Sequence, residues 1–179
     1  ASIDAQEIPC SYEKVLVDNG SDSNHPYPAK EIESQGWRIV SHFDNQGHIV
    51  GQNRCFKSAQ GEWVLFVAND VRLQPRCLKG LWGLRDNGLF PSAVGQFQPA
   101  LFQVSGIPDQ MGMDWRWPGY GISRKHFLGN QIPITPSSCY LMKKALWSTL
   151  EGFDEQLLTS HEDVDFGLRL KAACYWNLC

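Results

Sequence analysis

Carboxylates stand at three places in this sequence where they could do chemistry. Two clusters end apolar runs and the third opens the last helical segment: Asp18, Asn69-Asp70 and Glu162-Asp163-Val164-Asp165. Ligands of open α/β sheets bind outside the carboxyl ends of the strands, so acids that follow apolar runs occupy the ligand-binding edge. Three such clusters in one crevice would hold a hard divalent cation, and the cation would hold phosphate groups.

Each cluster also has a purely structural interpretation. The turn signal at residues 18–22 fits a strand that is followed by an Asx turn. The pairs Thr159/Glu162 and Ser160/Asp163 both fit a capping box, and acids favour a helix N-terminus in any case. Considered singly, capping explains the third cluster better; considered together, the three clusters favour a functional site.

The segment from Gly61 to Val71 predicts the strand that positions the second cluster. Residues 63–68 are all apolar, which is too continuous for a half-exposed strand. Such a run suits the middle of a parallel sheet that is covered by helices on both faces. The strand then ends on Asp70, for which the alternative is a simple turn residue.

The other predicted elements alternate between strands and helices. Strands are predicted over Tyr12–Val17, Trp37–Val40 and Ile134–Met142, and helices over Ser2–Ile8 (the tail of one), Pro28–Gln35, Gly47–Gln60, Pro75–Arg85 (closed by Gly88), Lys143–Leu150 and Ser160–Cys174. Residues 92–104 are predicted to be extended, and residues 109–131 to form a long loop. This order predicts an α/β sandwich with a mixed sheet.

Length and composition narrow the class of protein. A chain of 179 residues is about one domain, and its net charge of −3 argues against nucleic-acid binding as its main role. No apolar run approaches the roughly 18 residues that would span a bilayer, and no signal peptide opens the chain. The six scattered cysteines favour buried thiols in a reducing compartment over disulfides. We therefore expect a cytoplasmic protein, with peripheral attachment to a membrane as the alternative.

Four motifs resemble those of family 2 glycosyltransferases with the GT-A fold. They are Val15-Leu16-Val17-Asp18-Asn19-Gly20-Ser21-Asp22; the pattern N-x-G…G-x-N at Asn45, Gly47, Gly51 and Asn53; Ala59 with Gly61-Glu62; and Gly152-Phe153-Asp154-Glu155 followed by Glu162-Asp163-Val164-Asp165 and Arg169-Leu170. The second pattern is typical of the branch rich in rhamnosyltransferases. The resemblance covers nearly the whole chain.

The resemblance implies one GT-A domain, a three-layer sandwich whose central mixed sheet is mostly parallel. Its nucleotide-binding half would span about residues 1–90 and its acceptor half about residues 91–179. The family's first strand would precede Ser2, and a further strand and a metal-site histidine would follow Cys179. We therefore expect a fragment of a longer enzyme, with a sheet that lacks its first strand.

The resemblance also assigns the donor side of the site. The implied nucleotide-binding residues are Asp18, Asn19, Asn53, Arg54 and Asn69, with Asp18 accepting a hydrogen bond from a uracil or thymine imide. For Arg54 the alternative is a solvated helix face. Asp70 would bind a Mn²⁺ or Mg²⁺ ion on the diphosphate of a UDP- or dTDP-sugar, and the ion would neutralise charge on the leaving group. Ala68 stands where the family usually has another acid, which leaves Asp70 as the carboxylate from this motif.

The resemblance implies that Asp163 is the general base that deprotonates an acceptor hydroxyl. A single displacement with one base inverts the anomeric centre. Glu162 is the alternative base, and Asp165 would hold the helix in place. Because Asp163 lies in the first turn of a helix, we expect the helix dipole to lower its pKa.

The acceptor side falls in residues 114–121. Trp115, Trp117 and Tyr120 would stack on the sugar rings of a glycan or glycoconjugate acceptor, and the alternative is that they pack this segment onto the domain. Residues 135–139 correspond to a stretch of small residues beside the donor sugar. The resemblance favours rhamnose as that sugar, followed by glucose, galactose and N-acetylated sugars.

Two other classes of protein fit parts of the sequence. A nucleotidyltransferase shares the α/β plan and places acids on a metal, but it needs a glycine-rich basic loop that is not visible here. A non-catalytic module that binds glycans or nucleotides would tolerate Ala68.

Overall fold

The computed structural model describes residues 2–8, 10–22, 24, 26–86, 93–117, 120–126, 131–158 and 160–179. Its strands are β1 (Lys14–Asp18), β2 (Trp37–Ser41), β3 (Trp63–Val67), β4 (Val94–Phe97), β5 (Leu101–Phe102), β6 (Pro108–Gln110), β7 (Met113–Arg116), β8 (Tyr120–Ser123), β9 (Gln131–Ile132), β10 (Cys139–Lys143) and β11 (Trp176–Leu178). Its helices are α1 (Ala29–Ser34), α2 (Gly47–Ser58), α3 (Cys77–Asp86), α4 (Lys144–Thr149) and α5 (Glu162–Ala172), with a 3₁₀ helix at Glu155–Leu157.

The central sheet has five strands in the order β3-β10-β4-β11-β9. The predicted mixed sheet is confirmed, but only the pair β4/β11 is parallel among its hydrogen-bonded neighbours. The prediction of a mostly parallel sheet is wrong in this respect. A parallel neighbour needs a crossover connection, and no helix lies between β4 and β10 in the described part of the chain.

The β3 strand lies at one edge of this sheet rather than in its middle. Its neighbour β10 is antiparallel to it, so the predicted position inside a parallel sheet is wrong. The other part of the prediction is confirmed, because both faces of β3 are covered. Val64 packs in one apolar cluster of the core, and Trp63 and Leu65 pack against the other.

A separate pair of parallel strands, β1 and β2, carries the first acidic cluster. The α2 helix packs against both β1 and β3 and so covers strands of both sheets. In the described part of the chain, β1 and β3 are not hydrogen-bonded to each other.

Helices cover the five-stranded sheet on both faces, which confirms the three-layer arrangement. Strand β10 illustrates it, because Tyr140 and Met142 point to one side and Leu141 to the other. Tyr140 and Met142 pack with α2, α4 and α5, where Phe56 stacks on Trp147 with ring centroids 3.9 Å apart. Leu141 packs with α3. The alternation of side chains along a strand therefore divides the core in two.

The strand predicted over Ile134–Met142 begins only at Cys139, and three other regions also differ from their predicted secondary structure. Residues 2–6 form turns rather than a helix tail, and Gln6 Oε1 accepts a hydrogen bond from the main-chain N–H of Leu78 in α3. The predicted loop at residues 109–131 contains the β7–β8 hairpin, and the unpredicted strand β11 enters the sheet beside β4. These elements are short and held by distant partners, so local periodicity does not reveal them. Gly88, predicted to close α3, lies outside the described residues.

Candidate active site

The first turn of α2 holds the turn that follows β1. Asn19 Nδ2 donates to the carbonyl oxygen of Gly47 at 2.8 Å, and Gly47 N donates to Asn45 Oδ1 at 3.0 Å. Gly51 leaves room for this contact, because a Cβ atom there would lie 3.1 Å from Asn19 Nδ2. Three residues of the N-x-G…G-x-N pattern therefore fix Asn19 on the helix.

The residue after Asn19 in this turn must be a glycine. Gly20 has a φ of +81°, and a Cβ atom there would lie 2.3 Å from the carbonyl carbon of Asp44. Any side chain would therefore push the turn away from the segment that precedes α2.

Asp18 is held as a hydrogen-bond acceptor at the end of β1. Its Oδ1 accepts from the main-chain N–H of Ser21 at 2.8 Å. Burial raises the pKa of Asp18, but hydrogen bonds from Ser21, Tyr27 and the main chain of Gly20 outweigh it and bring the pKa below its ordinary value. An ionised carboxylate at this position can accept the imide N–H of a uracil or thymine base.

The side chain of Arg54 is mostly buried in the same region. Its guanidinium donates to Asn19 Oδ1, to the carbonyl oxygen of Asp44 at 3.1 Å and to Gln46 Oε1 at 3.1 Å. The solvated helix face considered as the alternative for Arg54 is therefore wrong. These contacts leave Arg54 as a support for Asn19 rather than as a free cation.

The geometry also gives Asn53 a structural role. Its Nδ2 donates to the carbonyl oxygen of Phe153 at 3.0 Å and to Glu155 Oε1 at 2.9 Å, and its Oδ1 accepts from Phe153 N at 3.0 Å. The residue is only 4% exposed. Both amide hydrogens are thus used within the protein, which contradicts the prediction that Asn53 contacts the nucleotide.

The third acidic cluster meets α2 at the residue after Gly47. Glu162 is 4% exposed, and its Oε1 lies 3.1 Å from His48 Nε2. The same oxygen accepts a hydrogen bond from Ser137 Oγ at 2.7 Å. Ala68, at the end of β3, donates its N–H to the carbonyl oxygen of Ser138 at 2.8 Å. A continuous set of contacts therefore joins the three predicted clusters.

Asp70 and its neighbour Asn69 remain exposed at this edge of the sheet. Within the described ranges, no group of three or more His, Cys, Asp or Glu side chains could hold a metal ion. One carboxylate beside one amide fits a Mg²⁺ or Mn²⁺ ion that takes its other ligands from water and substrate phosphates. It does not fit a cage built by the protein alone.

Asp163 is the half-buried acid beside the buried Glu162. Burial, and after it the charge of Glu162, raise its pKa from the ordinary 3.8 to about 6, against hydrogen bonds from the main-chain N–H groups of Val164 and Asp163 itself. The prediction that the helix dipole lowers this pKa is wrong, because desolvation and a like charge outweigh the dipole here.

The capping box predicted at the start of α5 is absent where it can be examined. His161 is the N-cap residue in a left-handed conformation with φ of +72°, and no side chain caps the helix. Ser160 Oγ lies 2.9 Å from His161 Nδ1 and does not reach Asp163. Thr159 lies outside the described residues. Capping therefore does not explain the Ser160/Asp163 pair.

The β7–β8 hairpin presents aromatic side chains near the start of α5. Met113 at its base packs with Ile134 and with Val164 of α5. Tyr120 and His161 have ring centroids 6.2 Å apart, and Trp117 is 83% exposed.

Trp115 and Tyr120 are also exposed. The three aromatics predicted to bind the acceptor are thus available rather than packed away. Pro118 and Gly119 at the hairpin tip lie outside the described residues.

Sequence reasoning missed His48, Ser137 and Tyr27 as partners of the acids. Ser137 falls in the stretch that the resemblance placed beside the donor sugar, and His48 directly follows a motif glycine. No local pattern marks any of the three, because each meets its carboxylate only through the tertiary fold.

Comparison with known proteins decides the family. The family model described as glycosyl transferase family 2 matches residues 1–150. The chain belongs to glycosyl transferase family 2. A relative of this glycosyltransferase chain, the O-antigen biosynthesis protein RfbC from Myxococcus xanthus, is 28% identical over 134 residues, which are 67% of this chain and 10% of that protein.

Solved structures confirm the GT-A fold of the glycosyltransferase chain. GalNAc-T7 with UDP, GalNAc and Mn²⁺ has a TM-score of 0.73 at 13% identity and covers 93% of this chain and 36% of that one. TarS 1–349 from S. aureus has a TM-score of 0.70 at 20% identity, covering 99% and 51%. The mannosyltransferase PcManGT from Pyrobaculum calidifontis, in complex with GDP-Man and Mn²⁺, has a TM-score of 0.61 at 16% identity, covering 92% and 44%.

The chain therefore spans a tenth of the curated relative and about half or less of these solved structures. None of the helices in the described ranges is long and apolar enough to cross a membrane.

The structural role of Asn53 can be tested by Asn53→Ala. The change leaves the buried main-chain groups of Phe153 without partners, so we expect a loss of about 2–4 kcal/mol in the free energy of unfolding, measured by urea denaturation. Asn69→Ala, at an exposed position, should change it by no more than about 0.5 kcal/mol. If Asn53→Ala is as stable as the parent but binds UDP more weakly, Asn53 contacts the nucleotide as predicted from the sequence.

The raised pKa of Asp163 predicts a stability gain in Asp163→Asn. The folded-state value of about 6 lies above the ordinary 3.8, so ionisation of Asp163 costs the folded state increasingly as pH rises from about 4 to about 6, and fully above that. Asparagine avoids this cost. We expect Asp163→Asn to be more stable than the parent by about 1–3 kcal/mol at pH 8 and nearly equal to it at pH 4.

Asp165→Asn is the matched control on the same helix. It weakens the ion pair with Arg169, whose Nη2 lies 2.6 Å from Asp165 Oδ2, and should lower stability at pH 8 by up to about 1 kcal/mol. Equal effects of the two substitutions in urea denaturation would contradict an unfavourable charge at Asp163.

Proposed function

We propose that this family 2 glycosyltransferase transfers a sugar from a UDP- or dTDP-sugar to a hydroxyl group of a glycan or glycoconjugate, with inversion. One observation carries the proposal. Adjacent residues of α2, Gly47 and His48, contact the turn after Asp18 and the Glu162-Asp163 pair. This contact supports placing a carboxylate suited to a pyrimidine base and a half-buried acid of raised pKa in one site.

Asp163 is the better base of the pair. With a pKa of about 6 it is mostly ionised at neutral pH, and it is more basic than an ordinary aspartate. Glu162, by contrast, already accepts from Ser137 and contacts His48. Asp163 takes the proton of the acceptor hydroxyl while the oxygen of that hydroxyl bonds to the anomeric carbon of the donor. The bond from that carbon to the diphosphate breaks on the opposite face, which inverts the configuration.

Asp70 is the residue that would hold a divalent ion, with Asn69 beside it. When bound, that ion would offset the negative charge on the departing nucleoside diphosphate. GalNAc-T7 and PcManGT are described with Mn²⁺, which supports metal use in this chain. Asp18 and Asn19 would meanwhile hold the base end of the donor.

The exposed aromatics of the β7–β8 hairpin would bind the acceptor. Trp115 and Trp117 lie at right angles in a pair with ring centroids 6.3 Å apart, and Tyr120 lies beside the residue that precedes Glu162. Aromatic faces of this kind stack on sugar rings. The similarity to an O-antigen biosynthesis protein supports a surface polysaccharide as acceptor.

The donor sugar is proposed from the resemblance alone. Rhamnose comes first, followed by glucose, galactose and N-acetylated sugars. This order follows from the N-x-G…G-x-N pattern. In the structure, residues of that pattern form hydrogen bonds with Asn19 and Phe153, so the pattern carries little information about the sugar itself. We further propose a cytoplasmic location, where nucleotide sugars are available.

Turnover is tested in the full-length protein that contains this domain. Release of UDP or dTDP is measured with Mn²⁺, a panel of nucleotide sugars and glycan acceptors. We expect Asp163→Asn to lower kcat by at least about 100-fold, because the general base is lost. Asp109→Asn, at an exposed ion pair with Lys125, is the control and should leave kcat unchanged. If no donor is consumed while donors still bind Asp163→Asn normally, the chain is a binding module.

Metal use is tested without turnover. With one carboxylate available, Mn²⁺ should bind the protein weakly alone and at least about tenfold more tightly once UDP supplies phosphate ligands. Asp70→Asn should remove this UDP-dependent gain, whereas Asp109→Asn should keep it, as measured by electron paramagnetic resonance of free Mn²⁺. Tight Mn²⁺ binding without UDP would contradict a metal held mainly by substrate.

A further inference from the structure

His48 connects α2 to the acid pair of α5. It lies in the first turn of α2, and its side chain is 46% exposed, while its Nε2 lies 3.1 Å from the Oε1 atom of the buried Glu162. At this distance an imidazole with a proton on Nε2 can donate a hydrogen bond to that oxygen. Glu162 Oε1 thus has one partner from α2 and a second, Ser137, from the segment before β10.

Glu162 affects the ionisation of Asp163 because the two acids are adjacent in the chain and partly shielded from water. After burial, the charge of Glu162 is the largest cause that raises the pKa of Asp163. A donor that draws the charge of Glu162 toward α2 therefore reduces the repulsion that Asp163 experiences on ionising.

We propose that His48 is a positioning residue for the general base: by holding the Glu162 carboxylate from the side of α2, it lets the neighbouring Asp163 ionise and work at neutral pH. The inference rests on the proposed function, in which Asp163 is that base. It adds to the site a residue that lies outside α5, at a variable position of the N-x-G…G-x-N pattern.

Other groups around Asp163 do not replace His48. The titratable or charged groups that face the acid pair from the elements packed here are His161 and Asp165 on α5, Tyr140 on β10 and His48 on α2. Burial raises the pKa of Tyr140 well above its ordinary value, so it stays neutral. Asp165 pairs with Arg169. His161 lowers the pKa of Asp163, but it packs on Tyr120 and not on Glu162.

The position of His48 also explains how one helix can serve both substrates. The carbonyl oxygen of Gly47 accepts from Asn19 at 2.8 Å, and the next residue contacts Glu162. The donor side and the base are therefore aligned through two consecutive residues of α2. A substitution at His48 would disturb the base while it leaves the main-chain contact to Asn19 in place.

The test compares His48→Ala, His48→Gln and Glu162→Gln in the full-length protein. Two measurements are made: the pH dependence of kcat/KM, and the titration of Asp163 by ¹³C NMR of aspartate-labelled protein, assigned with Asp163→Asn. Loss of His48 leaves the charge of Glu162 uncompensated, so His48→Ala should move the Asp163 titration and the acidic limb of the profile upward by about 0.5–1 pH unit. That shift lowers kcat/KM at pH 6 about 2–6-fold, with little change at pH 8.5.

Glu162→Gln should move the Asp163 titration in the opposite direction, because it removes the like charge. His48→Gln keeps a side-chain N–H donor and should restore part of the parent profile. His126→Ala removes an exposed histidine three residues after β8 and should change neither measurement. Opposite shifts from two variants cannot come from a general loss of packing, which would move both in the same direction.

The inference is overturned if His48→Ala leaves the Asp163 titration and the acidic limb where the parent has them. In that case the proposed function still stands if Asp163→Asn is inactive. If instead Asp163→Asn keeps full turnover, Asp163 is not the base and the proposed function fails. The NMR titration then still decides whether His48 acts on the acid pair, since it needs no turnover.

Discussion

The contact between the first turn of α2 and the segments on either side of it determines the rest of the site. Asn19 is bonded to Gly47 and Glu162 is in contact with His48, although the two acidic segments are far apart in sequence. Each such bond contributes only about 1 kcal/mol to stability. Their importance is geometric, because they fix the turn after β1 and the start of α5 to the same helix.

Much of the architecture could be predicted from local patterns. The apolar run before Asp70 predicts a strand with both faces covered, and α2 begins at the predicted Gly47. Family motifs identify the carboxylates that the fold brings together. Apolar periodicity and turn residues are properties of short segments, so they survive without knowledge of distant partners.

Features that depend on distant partners could not be predicted. The edge position of β3 depends on which strands pair beside it, and the β7–β8 hairpin depends on packing against α5. The pKa of Asp163 follows from burial, which a helix position alone does not give. Asn53 resembled a ligand-binding residue because its partners, Phe153 and Glu155, lie about a hundred residues away.

Two residues of the N-x-G…G-x-N pattern, Gly47 and Asn53, hold α2 at two of its contacts with other segments. Gly47 is hydrogen-bonded to Asn19 in the turn after β1, and Asn53 is hydrogen-bonded to the segment that leads into α5. These residues are six positions apart, or about 9 Å along a helix. One residue inserted between them would turn the second contact about 100° away from the first. The length of this helical segment is therefore fixed by the distance between its contact with the turn after β1 and its contact with the segment before α5.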